Sequence, residues 1–154
     1  MEILTLNNIQ VGVKAKNIKE VFEVLAEMAV NNGYANSKEG IIKGFFEREK
    51  LGTTGMESGF AIPHVINEAV DNAGVLILKL ANQIPIDQWE TFDGKPVDFI
   101  ISLLAPKGAG QEHLKILSKL SSLLVHEDFQ IGLKAKQSPQ EICDFLAGEL
   151  SKKG

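Results

Sequence analysis

Residues 97–120 read Val-Asp-Phe-Ile-Ile-Ser-Leu-Leu-Ala-Pro-Lys-Gly-Ala-Gly-Gln-Glu-His-Leu-Lys-Ile-Leu-Ser-Lys-Leu, and the hydrophobic period changes inside them. Val97 to Leu104 is a nearly continuous aliphatic run, the pattern of a strand covered on both faces. Pro106-Lys107-Gly108-Ala109-Gly110 interrupts it. From Gln111 onward apolar residues recur at helical spacing, placing Leu114, Leu117, Leu120 and Leu124 on one stripe. A buried strand, a glycine loop and an amphipathic helix in that order predict an α/β fold. Upstream, Ala73 to Leu80 reads as a second buried strand and Ile9 to Val13 as a short alternating one. Asn17 is placed to cap a helix with Ile18, Val21, Phe22, Leu25, Met28 and Ala29 on one face, ended by Asn32-Gly33. Ser37 is placed to cap a second helix burying Ile41, Ile42, Phe45 and Phe46, stopped by Gly52. Downstream, Ser138-Pro139-Gln140-Glu141 is a capping box that opens a final helix to about Leu150. Helices alternate with buried strands, so the expected architecture is a sheet covered by helices.

The chain has 154 residues, a usual length for one domain, and no linker-like stretch divides it. The expectation is a single domain over residues 1–154. Acidic residues outnumber basic ones, 20 to 16, for a formal net charge of −4. That balance makes the chain a poor candidate for binding DNA or RNA through a broad basic face, and no nucleic-acid partner is expected. The longest apolar runs are too short to span a bilayer, and Met1-Glu2-Ile3 lacks the basic-then-apolar start of a signal peptide. One cysteine, Cys143, leaves no internal disulfide and no cysteine-cluster metal site. These features predict a cytoplasmic protein that is not inserted in a membrane.

Chemistry points to the three histidines. His64 follows a glycine-bearing loop and the tripeptide Ala61-Ile62-Pro63. Proline fixes its own backbone angle and holds Ile62 extended, so His64 is expected at a strand end in a stiff position, where α/β proteins place reactive groups. His113 falls in the first turn of the helix after Gly108-Ala109-Gly110, where free N–H groups and the helix dipole favour anions. His126 is expected at the far end of that helix, where a protonated imidazole complements the dipole. Arg48, just before the loop Gly52-Thr53-Thr54-Gly55-Met56-Glu57-Ser58-Gly59, carries a guanidinium suited to clamping a phosphate. No His-x₃-His, Gly-x-Ser-x-Gly, Gly-x-Gly-x-x-Gly or P-loop pattern occurs, so zinc, serine hydrolysis and nucleotide binding lack support.

Gly59-Phe60-Ala61-Ile62-Pro63-His64 closely resembles the phosphorylation signature of the enzyme IIA components of the bacterial sugar phosphotransferase system, fructose/mannitol class. Arg48-Glu49, Leu51-Gly52-Thr53-Thr54-Gly55, Phe92-Asp93-Gly94-Lys95-Pro96-Val97-Asp98, Leu103-Leu104-Ala105-Pro106 and Glu112-His113-Leu114-Lys115-Ile116-Leu117-Ser118-Lys119-Leu120 follow the same family in order and spacing. The resemblance runs from about residue 4 to 150. It implies an α/β domain with a mixed β-sheet flanked by helices. It also implies a phosphocarrier that accepts a phosphoryl group from the carrier HPr and passes it to a cysteine of a cognate IIB component, itself coupled to a IIC permease. His64 is then the phosphorylated residue, with His113 the second site histidine and Arg48 the matching arginine. No metal or cofactor is implied, because the donor is already an activated phosphohistidine. Two alternatives stand beside sugar uptake: a nitrogen-type regulatory IIA, and a binding domain that has lost phosphotransfer. Val65 departs from the pattern, which usually has a small residue after the histidine. A valine there either crowds the phosphoryl group or is packed by co-adjusted neighbours; dense natural packing favours the second. Apolar docking candidates around the site are Met56, Phe60, Val65 and Ile66.

Overall fold

The structure, a computed structural model, describes residues 2–152. Its elements in chain order are β1 (Ile9–Val13), α1 (Ile18–Asn31), α2 (Lys38–Glu49), β2 (Phe60–Ala61), β3 (His64–Asn67), β4 (Gly74–Ile84), β5 (Val97–Pro106), α3 (Gln111–Leu123), α4 (Glu127–Lys134) and α5 (Pro139–Ser151). The three expected caps form: Asn17 Oδ1 accepts from Glu20 N at 3.0 Å, Ser37 Oγ from Gly40 N at 3.0 Å and Ser138 Oγ from Glu141 N at 3.2 Å. Each satisfies a backbone donor that the first helical turn leaves free.

The five strands make one mixed sheet in the order β1-β4-β5, with β2 and β3 sharing the outer side of β5. β1 runs parallel to β4, β4 antiparallel to β5, and β2 and β3 parallel to β5. The α/β class with a mixed, helix-flanked sheet is therefore as expected. Side-chain alternation sorts the core into two layers. Ala61, Val65, Leu76, Leu78, Ile100 and Leu104 face α1 and α2, along with Phe22, Leu25, Ile41 and Phe45. Phe60, Ile62, Ile77, Phe99, Ile101 and Leu103 face the other way, onto Leu120, Leu124, Phe129, Leu133, Ile142 and Leu146 of the C-terminal helical region.

Four expectations need correction. His64 opens β3 rather than ending a strand: Pro63 has no N–H for the ladder, so the edge splits into two short strands on either side of it. β4 extends to Ile84, through polar residues that show no strand period. Leu114 is 47% exposed, so the buried stripe of α3 starts a turn later. His126 does not end α3. It is the extended N-cap residue of α4, a separate helix absent from the sequence reading, and Glu127 and Asp128 fill that helix's first turn. The helix end at His126 is therefore the N-terminus of α4, not the C-terminus of α3.

Candidate functional site

Arg48 and His64, sixteen residues apart in sequence, meet in space: Arg48 Nε donates to His64 Nε2 at 3.1 Å. Arg48 Nη1 donates to Gly52 O at 2.7 Å, which braces the guanidinium. The other ring nitrogen, His64 Nδ1, lies 3.1 Å from Ile62 O. A carbonyl only accepts and a guanidinium only donates. The tautomer follows: Nδ1 carries the hydrogen, and Nε2 presents its lone pair beside Arg48. Burial lowers the pKa of His64 below the ordinary histidine value and the Arg48 charge lowers it further, while the Ile62 carbonyl acts in the opposite sense. The imidazole is thus neutral at neutral pH.

Helix α2 reaches His64 because one of its faces carries no side chain. Gly40, Gly44 and Arg48 follow one another at four-residue spacing, so they share that face. A methyl on Gly40 would lie 2.7 Å from Ala69 Cβ, and one on Gly44 2.8 Å from Val65 Cγ1, distances that real side chains do not adopt. Asn67 Nδ2 also donates to Gly40 O at 3.2 Å. The helix therefore lies close along β3, and Arg48 arrives one turn beyond Gly44. This i, i+4, i+8 pattern is legible in the sequence and was missed there.

The loop after α2 is tied down at both ends. Thr54 N donates to both Glu49 carboxylate oxygens, at 3.1 and 3.2 Å, and the buried Thr54 hydroxyl binds the same carboxylate. Burial raises the Glu49 pKa, while the Thr54 hydrogen bonds and the Arg48 charge oppose that rise. Thr53 Oγ1 donates to Glu90 O at 2.6 Å. A methyl on Gly55 would fall 2.1 Å from that same Glu90 carbonyl, so only glycine fits the crossing. The hydroxyls of Thr53 and Thr54 are thus both engaged in closing the loop.

His113 lies in the first turn of α3, and Gly110 at the N-cap supplies no side-chain cap. It does not line the hollow that holds His64 and Arg48, but α3 packs on the strand layer that carries His64. Phe60, Ile62 and His64 occupy alternate positions at constant register with Phe99 and Leu103 of β5, on the face that α3 covers. Its Nδ1 is shielded from solvent and has no hydrogen-bond partner among the described residues. No hydrogen bond joins it to His64 or Arg48 in the described residues.

His64 and Arg48 line a shallow hollow of about 280 Å³ with Leu51 and Ile66 at its rim. Leu51 is 84% exposed and Ile66 43%. Of the expected docking residues, Ile66 is exposed, Met56 is half-buried, and Phe60 and Val65 belong to the core. Leu51 was overlooked because one leucine beyond a helix end carries no periodic signal. A larger hollow of about 800 Å³ between the end of α2 and residues 86–90 holds Glu49 and Thr53 but neither His64 nor Arg48.

The family model described as "Phosphoenolpyruvate-dependent sugar phosphotransferase system, EIIA 2" matches residues 2–148. The fructose-specific EIIA component of the phosphotransferase system from Haloferax volcanii is 35% identical over 125 residues, covering 81% of this chain and 79% of that protein. The crystal structure of nitrogen regulatory protein IIA-Ntr from Neisseria meningitidis superposes with a TM-score of 0.84 at 30% identity, over 94% of this chain and 96% of that one. The crystal structure of IIA mannitol from Escherichia coli superposes with a TM-score of 0.73 at 26% identity, over 93% and 98% of the two chains.

Proposed function

Since the chain belongs to the EIIA type 2 family of the phosphoenolpyruvate-dependent sugar phosphotransferase system, we propose that it is a phosphocarrier whose acceptor atom is Nε2 of His64. The observation that carries this reading is the fixed tautomer, in which Nδ1–H is engaged by Ile62 O and the Nε2 lone pair faces the hollow beside Arg48.

The donor is the phosphohistidine of HPr. Nε2 attacks phosphorus in line, a new N–P bond forms, and the N–P bond of the donor breaks as its imidazole leaves with the electron pair. The positive charge then rests on the His64 ring, whose Nδ1–H stays on the Ile62 carbonyl. In the resting protein Arg48 Nε occupies the Nε2 lone pair. It must turn aside as phosphorus arrives, and the same N–H then reaches a phosphoryl oxygen. Transfers of this kind depend on positioning and electrostatic stabilisation more than on covalent help. His113, on the face of His64, with a shielded and unpartnered nitrogen, serves as a second donor to the phosphoryl group. The onward acceptor is a IIB component, and in a sugar-uptake system a IIC permease follows. The exposed Leu51 and Ile66 form part of the docking rim.

A regulatory role of the nitrogen type is the second reading, favoured by the higher TM-score of the Neisseria nitrogen regulatory protein. Both roles need phosphorylated His64. They separate by reconstitution: with purified IIB and membranes bearing IIC, a transport member restores sugar phosphorylation and a regulatory member does not. A chain that HPr phosphate leaves unlabelled belongs to neither.

A further inference from the structure

Val65 and Gly44 form a fitted pair beneath the site. Val65 is 2% exposed and its side chain enters the layer under α2. With Gly44 it also forms part of the wall of the hollow that holds His64 and Arg48. The space it takes is the space that Gly44 lacks: a methyl on Gly44 would lie 2.8 Å from Val65 Cγ1 and 3.2 Å from Cγ2. Asn67 Nδ2 would lie 2.7 Å away on the other side, so the notch is closed by β3 along its length. One helical turn further along the same face stands Arg48, with Nε 3.1 Å from His64 Nε2. The backbone separation of α2 and β3 at Gly44 therefore sets how far the guanidinium reaches.

We infer that Gly44 and Val65 are positioning residues: the valine seated in the glycine notch fixes the distance between α2 and β3 and so holds Arg48 on His64. Both act on His64 through the placement of Arg48. A larger residue at 44, or a longer one at 65, lifts the helix and draws the guanidinium away, because packed interiors have no slack to absorb a methyl group. Shrinking residue 65 in a chain that already carries Gly44→Ala returns part of the space. The pair thus gives this chain its own solution to a valine after the active histidine.

The test reads the His64 imidazole directly, by NMR titration of its ring nitrogens, and needs no phosphotransfer. Of the charged side chains that line the hollow with His64, Arg48 and Glu47 both belong to α2, so lifting the helix moves both. Loss of the Arg48 charge and of its shielding bulk raises the His64 pKa, and Arg48→Ala calibrates that shift. Gly44→Ala is expected to move the midpoint upward toward the Arg48→Ala value, and Gly44→Ala/Val65→Ala to bring it back toward wild type. Val65→Ile, which adds one methylene to an intact helix, is expected to shift it upward as well and covers the case in which Gly44→Ala does not fold. An unchanged midpoint in folded Gly44→Ala or Val65→Ile overturns the inference, as does a double variant no different from the single. The inference builds on His64 as the phosphoryl acceptor, yet the two fail separately. If the midpoints shift as described while phosphorylated HPr labels none of the chains, the positioning stands and the phosphocarrier reading falls.

Discussion

At His64 the decisive features are one hydrogen bond from each side and a lowered pKa. The neutral form persists below the usual histidine range, so phosphoryl acceptance should hold its rate as pH falls past about 6.5. Arg48→Ala removes a cation that disfavours protonation, and the acid limb of the rate profile should move to higher pH. The same variant should slow acceptance on the order of a hundredfold, the usual cost of losing one donor to a developing oxyanion. Quenched-flow transfer from phosphorylated HPr across a pH series measures both, and an unchanged profile removes Arg48 from the site. The lowered pKa also bears on stability. As pH falls through about 6.5 the unfolded chain takes the proton before the folded one, so this group makes the fold less stable in acid. His64→Ala should lose that component in denaturant melts. His113 carries a different expectation: His113→Ala should still accept phosphate, but slowly or without passing it to IIB. Wild-type behaviour in both half-reactions would leave it an ordinary first-turn residue.

Among the elements, the α2–β3 contact explains most of the site. Val65→Gly should open a void under α2 and cost about 2–4 kcal/mol, without speeding phosphotransfer. Urea denaturation together with transfer rates decides it, and acceleration would mean that valine had been slowing the reaction. In β5, Ser102 is fully buried and its hydroxyl finds no partner among the described residues. Ser102→Ala should therefore leave stability unchanged or raise it by up to about 1 kcal/mol, read as a higher melting temperature. The sequence showed these elements unevenly. Strands β4 and β5 and helices α1, α2, α3 and α5 were legible because caps and aliphatic runs are local signals. Helix α4 was not, since Val125-His126 interrupts the pattern without glycine or proline. The pairing of Arg48 with His64 was suggested by family motifs alone, while its physical cause, the bare Gly40-Gly44 face, takes on meaning only once β3 is laid against it.

For the whole molecule, the exposed Leu51 and Ile66 beside His64 are the apolar surface on which the proposed docking of a protein partner rests. No helix among the described residues is long and apolar enough to cross a membrane. The central claim is that this surface delivers one phosphoryl group to one nitrogen. Intact-mass spectrometry, after incubation with phosphoenolpyruvate, enzyme I and HPr, tests it most directly. The wild-type chain should gain a single acid-labile phosphoryl group and His64→Ala none. A full adduct on His64→Ala, or no adduct on the wild-type chain, would contradict it.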